Sequence, residues 1–204
     1  MGISEMNPAQ KAIFLDRDGV INKLVLNPAT RAYESPHRPE DLVFCMNVFK
    51  PLKELSGAGF KLFIVSNQPS YAKGKTTLKA TKEIAEKFKH ELEKKSVRIT
   101  ESFYCLHHPD GIVPKYAKKC ACRKPSPFFL FKAQKKYGLN LKGSWMIGDR
   151  DSDIKCGRLA GCRTILIKNP HSADYRGGDK PDHTANDLGN AVRHIIAKKQ
   201  KERI

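Results

Sequence analysis

The stretch Ala12-Ile13-Phe14-Leu15-Asp16-Arg17-Asp18-Gly19 decides the fold. Its four leading residues are uninterruptedly apolar and read as a buried strand, which Gly19 ends in a turn. Buried parallel strands present ligands at their carboxyl ends, where Asp16 and Asp18 stand. An aspartate in that position can attack a phosphoryl group, and a second carboxylate two residues on can give a proton to the leaving oxygen and later take one from water. Asp16 is therefore the candidate nucleophile and Asp18 the candidate acid and base. A phosphate dianion repels a carboxylate, so this chemistry needs a divalent cation with oxygen ligands, for which magnesium is suited. The requirement predicts another aspartate at a later strand end.

Trp145-Met146-Ile147-Gly148-Asp149-Arg150-Asp151-Ser152-Asp153 supplies it, with Asp149 as the expected magnesium ligand. Between the two acidic turns lie Leu62-Phe63-Ile64-Val65-Ser66-Asn67-Gln68, a third apolar run ending in a hydroxyl and two amides, and Cys122-Arg123-Lys124-Pro125. Ser66 and Lys124 are placed to bind the transferring phosphoryl. Any one of these pieces would suit an ordinary tight turn. Four of them in this order, each at a strand end or helix start, point to one site.

The four segments resemble the motifs of the haloacid dehalogenase (HAD) superfamily of phosphohydrolases, matched here by Asp16-x-Asp18-Gly19, Ser66-Asn67, Lys124-Pro125 and Gly148-Asp149-x-x-x-Asp153. The resemblance spans roughly residues 11 to 168. It implies that Asp16 becomes phosphorylated, that Asp18 is the acid and base, and that Ser66 and Lys124 stabilise the phosphoryl group. It also implies a magnesium site made by Asp16, Asp149 and the main-chain carbonyl of Asp18, with Asp153 orienting Lys124 or a metal-bound water. Asp151 receives no role from it.

A second constellation is Cys105-Leu106-His107 with Cys120-Ala121-Cys122. Four soft or borderline ligands in two close pairs suit tetrahedral zinc, in a closed site that is structural and pins a loop beside Arg123 and Lys124. His108 then faces away from the metal. Cys45, Cys156 and Cys162 read as buried thiols, since free cysteine packs like a small apolar residue. Met1 to Gln10 is polar and carries no secretory signal, so reduced cysteines and a cytoplasmic location are expected.

The zinc loop together with Asp-Arg-Asp-Gly looks like the zinc-containing branch of the superfamily, which holds sugar (heptose) bisphosphate phosphatases and histidinol-phosphate phosphatases. Asn67-Gln68-Pro69-Ser70-Tyr71-Ala72-Lys73-Gly74-Lys75 is similar to a substrate-binding segment of the heptose enzymes, and Arg123 matches an arginine that reads the distal end of their substrate. The resemblance thus implies Asn67, Gln68, Lys73 and Arg123 as substrate-binding residues, and C7-phosphate removal from a heptose 1,7-bisphosphate destined for surface lipopolysaccharide. The departures are Pro69-Ser70-Tyr71, Val20 in place of threonine, and a longer connection from Lys23 to Asp41 that should overhang the site.

Apolar runs and helical periodicity alternate along the chain, predicting strands near 11–16, 61–66, 100–105, 144–148 and 163–167, and helices near 47–57, 76–95, 126–137, 152–160 and 187–200. The expected fold class is α/β, Rossmann-like, with a central parallel sheet covered by helices on both faces, no large cap domain and a zinc-binding loop. The 204 residues fit a single domain, 1–204, with a short polar segment at 1–10 and a basic tail at 198–204. No transmembrane run is present, and a monomer is expected.

The formal charge of +17 invites a different reading. Such a balance can bind nucleic acid through its phosphates, yet the basic stretches are mostly mixed with acids on helices, and a basic rim equally attracts an anionic bisphosphate. Histidinol phosphate and a nucleic-acid 3′-phosphate remain alternative substrates. A zinc-containing nucleic-acid-binding module remains the non-enzymatic alternative.

Overall fold

The computed structural model describes residues 10–201, so the end of the basic tail and all but the last residue of the polar segment lie outside the described residues. The strands and helices follow in the order β1 (Ala12–Leu15), β2 (Val25–Leu26), β3 (Tyr33–Glu34), α1 (Phe49–Gly57), β4 (Lys61–Asn67), α2 (Leu78–Lys94), β5 (Glu101–Cys105), α3 (Phe128–Tyr137), β6 (Trp145–Gly148), α4 (Asp151–Leu159), β7 (Arg163–Ile167), β8 (His183–Ala185) and α5 (Leu188–Lys201). Two 3-10 turns, Pro39–Asp41 and Pro170–Tyr175, complete them. The main sheet runs β5-β4-β1-β6-β7-β8 with all pairs parallel, and β2 and β3 form a separate antiparallel hairpin.

Side chains of a strand alternate between its faces, and β1 shows why its run is wholly apolar. Ile13 and Leu15 join a core built with Leu52 and Leu55 of α1, Phe88 and Leu92 of α2, and Val192 and Ile195 of α5. Ala12 and Phe14 join the opposite core, with Phe129, Leu130 and Ala133 of α3 and Cys156 of α4. Helices thus cover both faces. Thr77 starts α2 by accepting a hydrogen bond from the Ala80 amide, the usual service of a hydroxyl at a helix start.

The predicted strands and helices are present, within one to two residues at most boundaries. The sequence reading missed β8, which is short, lies at the sheet edge and reads His-Thr-Ala without an apolar run. It also left the Lys23–Asp41 connection as plain loop, although two-residue strands pair there as Val25 with Glu34 and Leu26 with Tyr33. Cys156 and Cys162 are buried core thiols, and Cys45 is half-buried. No helix among the described residues is long and apolar enough to cross a membrane.

Candidate active site

Strand register brings the motifs together. Leu15 pairs with Ile64 on one side and Ile147 on the other, so Asp16 emerges at the sheet's carboxyl edge beside the ends of β4 and β6, which carry Ser66 and Asp149. The Asp16 amide donates to the Ile147 carbonyl at 2.9 Å, fixing that position. Two glycines allow the approach: at Gly19, with φ of +84°, a Cβ would collide with the Asp149 carboxylate, and at Gly148 it would collide with Asp153.

Lys124 stands at the centre, 4 % exposed. Its ammonium lies 2.9 Å from Asp16 Oδ1 and 2.6 Å from Asp153 Oδ1, and it donates to the Val65 carbonyl at 2.6 Å. Its main chain is clamped by Asn67, whose side-chain amide donates to the Lys124 carbonyl at 3.1 Å and accepts from the Lys124 amide at 3.0 Å. Burial alone would raise the Asp16 carboxyl, but the charge and hydrogen bond of Lys124, with Ser66 and the Arg17 main chain, hold it below the usual carboxylate range. Burial would likewise lower Lys124, and its two carboxylates reverse that and hold it firmly protonated.

Asp18 faces another set of partners. Its carboxylate receives Arg17 at 3.0 Å, the Asn22 amide at 2.9 Å and the Gln68 amide, while Arg17 also donates to Gln68 Oε1 at 2.8 Å. Arg17 is itself 1 % exposed. Gln68 further donates to the Ser66 hydroxyl at 3.0 Å.

The carboxyl oxygens of Asp16, Asp149 and Asp153 lie within 4.8 Å of one another, close enough for one cation. Asp149 Oδ1 is buried with no hydrogen-bond partner among the described residues, and its other oxygen accepts from Ser172. Burial, then the charges of Asp16 and Asp153, push Asp149 up to about 7, against the pull of Ser172 and Arg150. A buried, crowded carboxylate with an open oxygen is the donor set a hard divalent cation such as magnesium satisfies.

The thiols of Cys105, Cys120 and Cys122 lie 3.4–3.5 Å from one another, and His107 Nδ1 lies 3.7 Å from Cys122 and 4.0 Å from Cys105. Four ligands placed tetrahedrally about 2.0–2.3 Å from one zinc ion would be about 3.5–3.8 Å apart, so these donors fit it. They are much too far apart for disulfides, whose sulfurs stand about 2.05 Å apart. The loop so gathered places Arg123 and Lys124 directly after Cys122.

Above the acids opens a cleft of about 390 Å³. Asp16, Asp18 and Lys124 line its floor, while Lys73, Arg123 and Arg150 supply cations to its walls. The Lys23–Asp41 connection overhangs it as expected, through Tyr33, Glu34 and Ser35.

The structure adds detail to several expectations. Asn67 lines the cleft and also gives both ends of its amide to the Lys124 main chain, while Gln68 gives its own to Arg17, Asp18 and Ser66. Asp153, expected to orient Lys124 or a water, also belongs to the metal-sized cluster, while the Asp18 carboxylate is turned to Arg17, Asn22 and Gln68, which leaves its main chain for a cation as expected. Asp151, for which no role was expected, accepts from the amides of Gly177 and Gly178.

Reading the sequence missed Arg17, Arg150 and Ser172. Arg17 carried a signal in its place between two acids, and Arg150 one in its place between Asp149 and Asp151. Ser172 follows Asn169-Pro170 just past the end of β7, the edge where ligands collect, but a lone serine there is no signal.

The HAD-hydrolase-like family model matches residues 121–191. A D-glycero-alpha-D-manno-heptose-1,7-bisphosphate 7-phosphatase of Photorhabdus laumondii is 39 % identical over 162 residues, 79 % of this chain and 84 % of that protein. A D-glycero-beta-D-manno-heptose-1,7-bisphosphate 7-phosphatase of Escherichia coli K12 is 31 % identical over 191 residues, 93 % of this chain and 95 % of its own. The crystal structure of a D,D-heptose 1,7-bisphosphate phosphatase from B. bronchiseptica, complexed with magnesium and phosphate, superposes with a TM-score of 0.76 at 24 % identity, covering 93 % of this chain and 99 % of that one. That likeness is one of fold.

Proposed function

The chain belongs to the family of the HAD-like D-glycero-D-manno-heptose-1,7-bisphosphate 7-phosphatases, and from that premise we propose that it removes the C7 phosphate of a heptose 1,7-bisphosphate. The observation that carries the reading is Lys124, buried 2.9 Å from Asp16 on the floor of a cleft whose walls bear Lys73, Arg123 and Arg150. A nucleophile and a fixed cation suit the phosphoryl that reacts, and cations higher in the cleft suit a second phosphate on the same molecule.

Asp16 attacks phosphorus, and the bond from phosphorus to the C7 oxygen breaks as Asp18 protonates that oxygen. Asp18 then takes a proton from water, whose oxygen attacks the aspartyl phosphate and releases inorganic phosphate with Asp16 restored. Lys124 and the Ser66 hydroxyl hold the transferring phosphoryl, Asp153 and Asn67 hold Lys124, and Arg17 with Gln68 orients Asp18. Asp16, Asp149 and the Asp18 main chain, with Asp153 beside them, would hold magnesium, which when bound would compensate charge between carboxylate and phosphate. Zinc at Cys105, His107, Cys120 and Cys122 is structural. We read the chain as a single cytoplasmic domain, active as a monomer on a small phosphorylated substrate.

The test is phosphate release with magnesium from both anomers of heptose 1,7-bisphosphate, fructose 1,6-bisphosphate, histidinol phosphate and a 3′-phosphorylated oligonucleotide. A dominant heptose substrate is expected. The alpha anomer should lead, because the relative named for it is 39 % identical against 31 % for the E. coli beta enzyme. Preference for histidinol phosphate or the oligonucleotide overturns the substrate and leaves the chemistry standing.

A further inference from the structure

The β2–β3 hairpin forms one wall of the cleft, and its only acid is Glu34. An acid facing a cleft that receives anions repels them unless it is compensated. Glu34 is compensated at both oxygens. Oε1 accepts from the Thr30 hydroxyl at 3.0 Å and from the Lys75 ammonium, while Oε2 accepts from the Asn27 amide at 3.3 Å and lies 3.1 Å from His37 Nε2. Asn27 and Thr30 belong to the hairpin's own turn and His37 to the segment that leaves it. Lys75 belongs to the loop after β4, the loop that carries Lys73.

Two further contacts tie down the same wall. Ser35 Oγ lies 3.0 Å from Ser70 Oγ, again joining the hairpin to the loop after β4. Tyr33 stacks on His171 with ring centroids 3.6 Å apart, joining the hairpin to the 3-10 turn that holds Ser172 against Asp149. The hairpin's short strands have almost no ladder and contribute no side chain to either core, so side-chain contacts such as these, with the Thr76 hydroxyl donating to the His37 carbonyl, hold it.

We propose that Glu34 and Lys75 form a latch that fixes the hairpin across the cleft, making Glu34 a positioning residue for substrate selection. The inference deepens the reading that the cleft takes a sugar bisphosphate and rests on it. The pairing has a second effect: Lys75 is neutralised, so Lys73, Arg123 and Arg150 are the wall cations left to meet a second phosphate. The hairpin wall, compensated in charge, faces the sugar body. Selection against short monophosphates then depends on a wall that stays in place.

The test uses Glu34→Gln, Lys75→Met, the double variant, and the charge exchange E34K/K75E, each as the full chain with magnesium and zinc. One readout is the ratio of kcat/KM for heptose 1,7-bisphosphate to that for p-nitrophenyl phosphate. The other is amide hydrogen exchange in segments 24–38 and 69–76. Each single variant should lower the ratio about tenfold, mainly through KM of the bisphosphate, and the double should cost no more than either single, as for two residues acting through one contact. Exchange should quicken in both segments and leave β1 and β6 protected, and the charge exchange should recover part of both effects.

Unchanged exchange with a ratio within about twofold of the parent, or effects that add in the double, overturns the latch. If the parent prefers the bisphosphate and the variants match it, the latch alone fails. If exchange quickens but the parent does not turn over any heptose bisphosphate, the latch stands and the substrate reading fails with its selective role.

Discussion

Cys120→Ser tests whether the sulfur cluster holds the loop that delivers Arg123 and Lys124. Cys105 and Cys122 are 17 residues apart and their sulfurs lie 3.4 Å from each other, so a metal bound there closes a loop of that length. Closing such a loop removes conformational freedom from the unfolded chain worth about 3 kcal/mol, whether the clip is a bond or an ion. In a chain of this size that loss lowers the melting temperature by about 6–12 °C. Activity should divide unevenly. Lys124 keeps its Asn67 clamp and its two carboxylates, whereas Arg123 is fixed mainly by the loop and by its bond to the His107 carbonyl at 3.3 Å. The variant should therefore lose its zinc, melt earlier and show a raised KM for the bisphosphate, with a smaller change in kcat. Metal content by mass spectrometry, thermal unfolding by circular dichroism and steady-state kinetics with excess magnesium measure the three. A zinc-free variant with the parent's melting temperature and KM would refute the reasoning.

Asp16→Asn should abolish turnover, by about four orders of magnitude or more, while the circular dichroism spectrum is retained, because the amide is no nucleophile; turnover near the parent's would remove the covalent route. Asp153→Asn leaves the buried Lys124 with one carboxylate in place of two, so about 100-fold in kcat and several degrees of melting temperature should be lost, and a variant unchanged in both would exclude this ion pair as the anchor. His194 stacks on His183 at 3.7 Å and meets the edge of Trp145, and burial, with His183 and Lys198, lowers its affinity for a proton from the ordinary 6.5. The unfolded chain then binds a proton there that the folded chain resists, so stability is lost as pH falls below about 6.5, and it is unaffected above. His194→Asn should shrink that acid-side loss in denaturant titrations followed by the single tryptophan, and an unchanged pH slope would exclude His194 as its source.

What could be read from the chain alone follows from how local each cause is. Asp16, Asp18 and Asp149 announce themselves because a strand end is a local pattern: an apolar run, a glycine, an acid. The zinc ligands do so because two ligands one residue apart must bind together. The protein partners of Asn67 and Gln68 could not be read from the chain because an amide's partner is set by the fold. A strand-end amide can face substrate or protein equally well, and only packing brings the Lys124 main chain within 3.1 Å of Asn67. Arg17's place between two acids was a signal, but only burial to 1 % shows that Asp18 and Gln68 must satisfy its guanidinium. The hairpin was illegible because two-residue strands carry no period, and the contacts that tie it down, at Glu34, Ser35 and Tyr33, are set by the fold.

The placement of Lys124 gives the cluster of Cys105, His107, Cys120 and Cys122 its structural purpose. Asp16 and Asp149 sit at strand ends, where main-chain pairing sets their positions. Lys124 lies in an irregular segment between β5 and α3, and no ladder or helix fixes it. A buried ammonium there needs partners on every side, because an unpaired buried charge costs several kcal/mol. Asn67 supplies main-chain restraint, Asp16, Asp153 and Val65 satisfy the ammonium, and the cysteines stop the preceding loop from withdrawing it. Of these restraints only the cysteine cluster acts on Arg123 as well. Losing the cluster should therefore separate the two cations functionally, sparing the phosphoryl that reacts and releasing the phosphate that only binds.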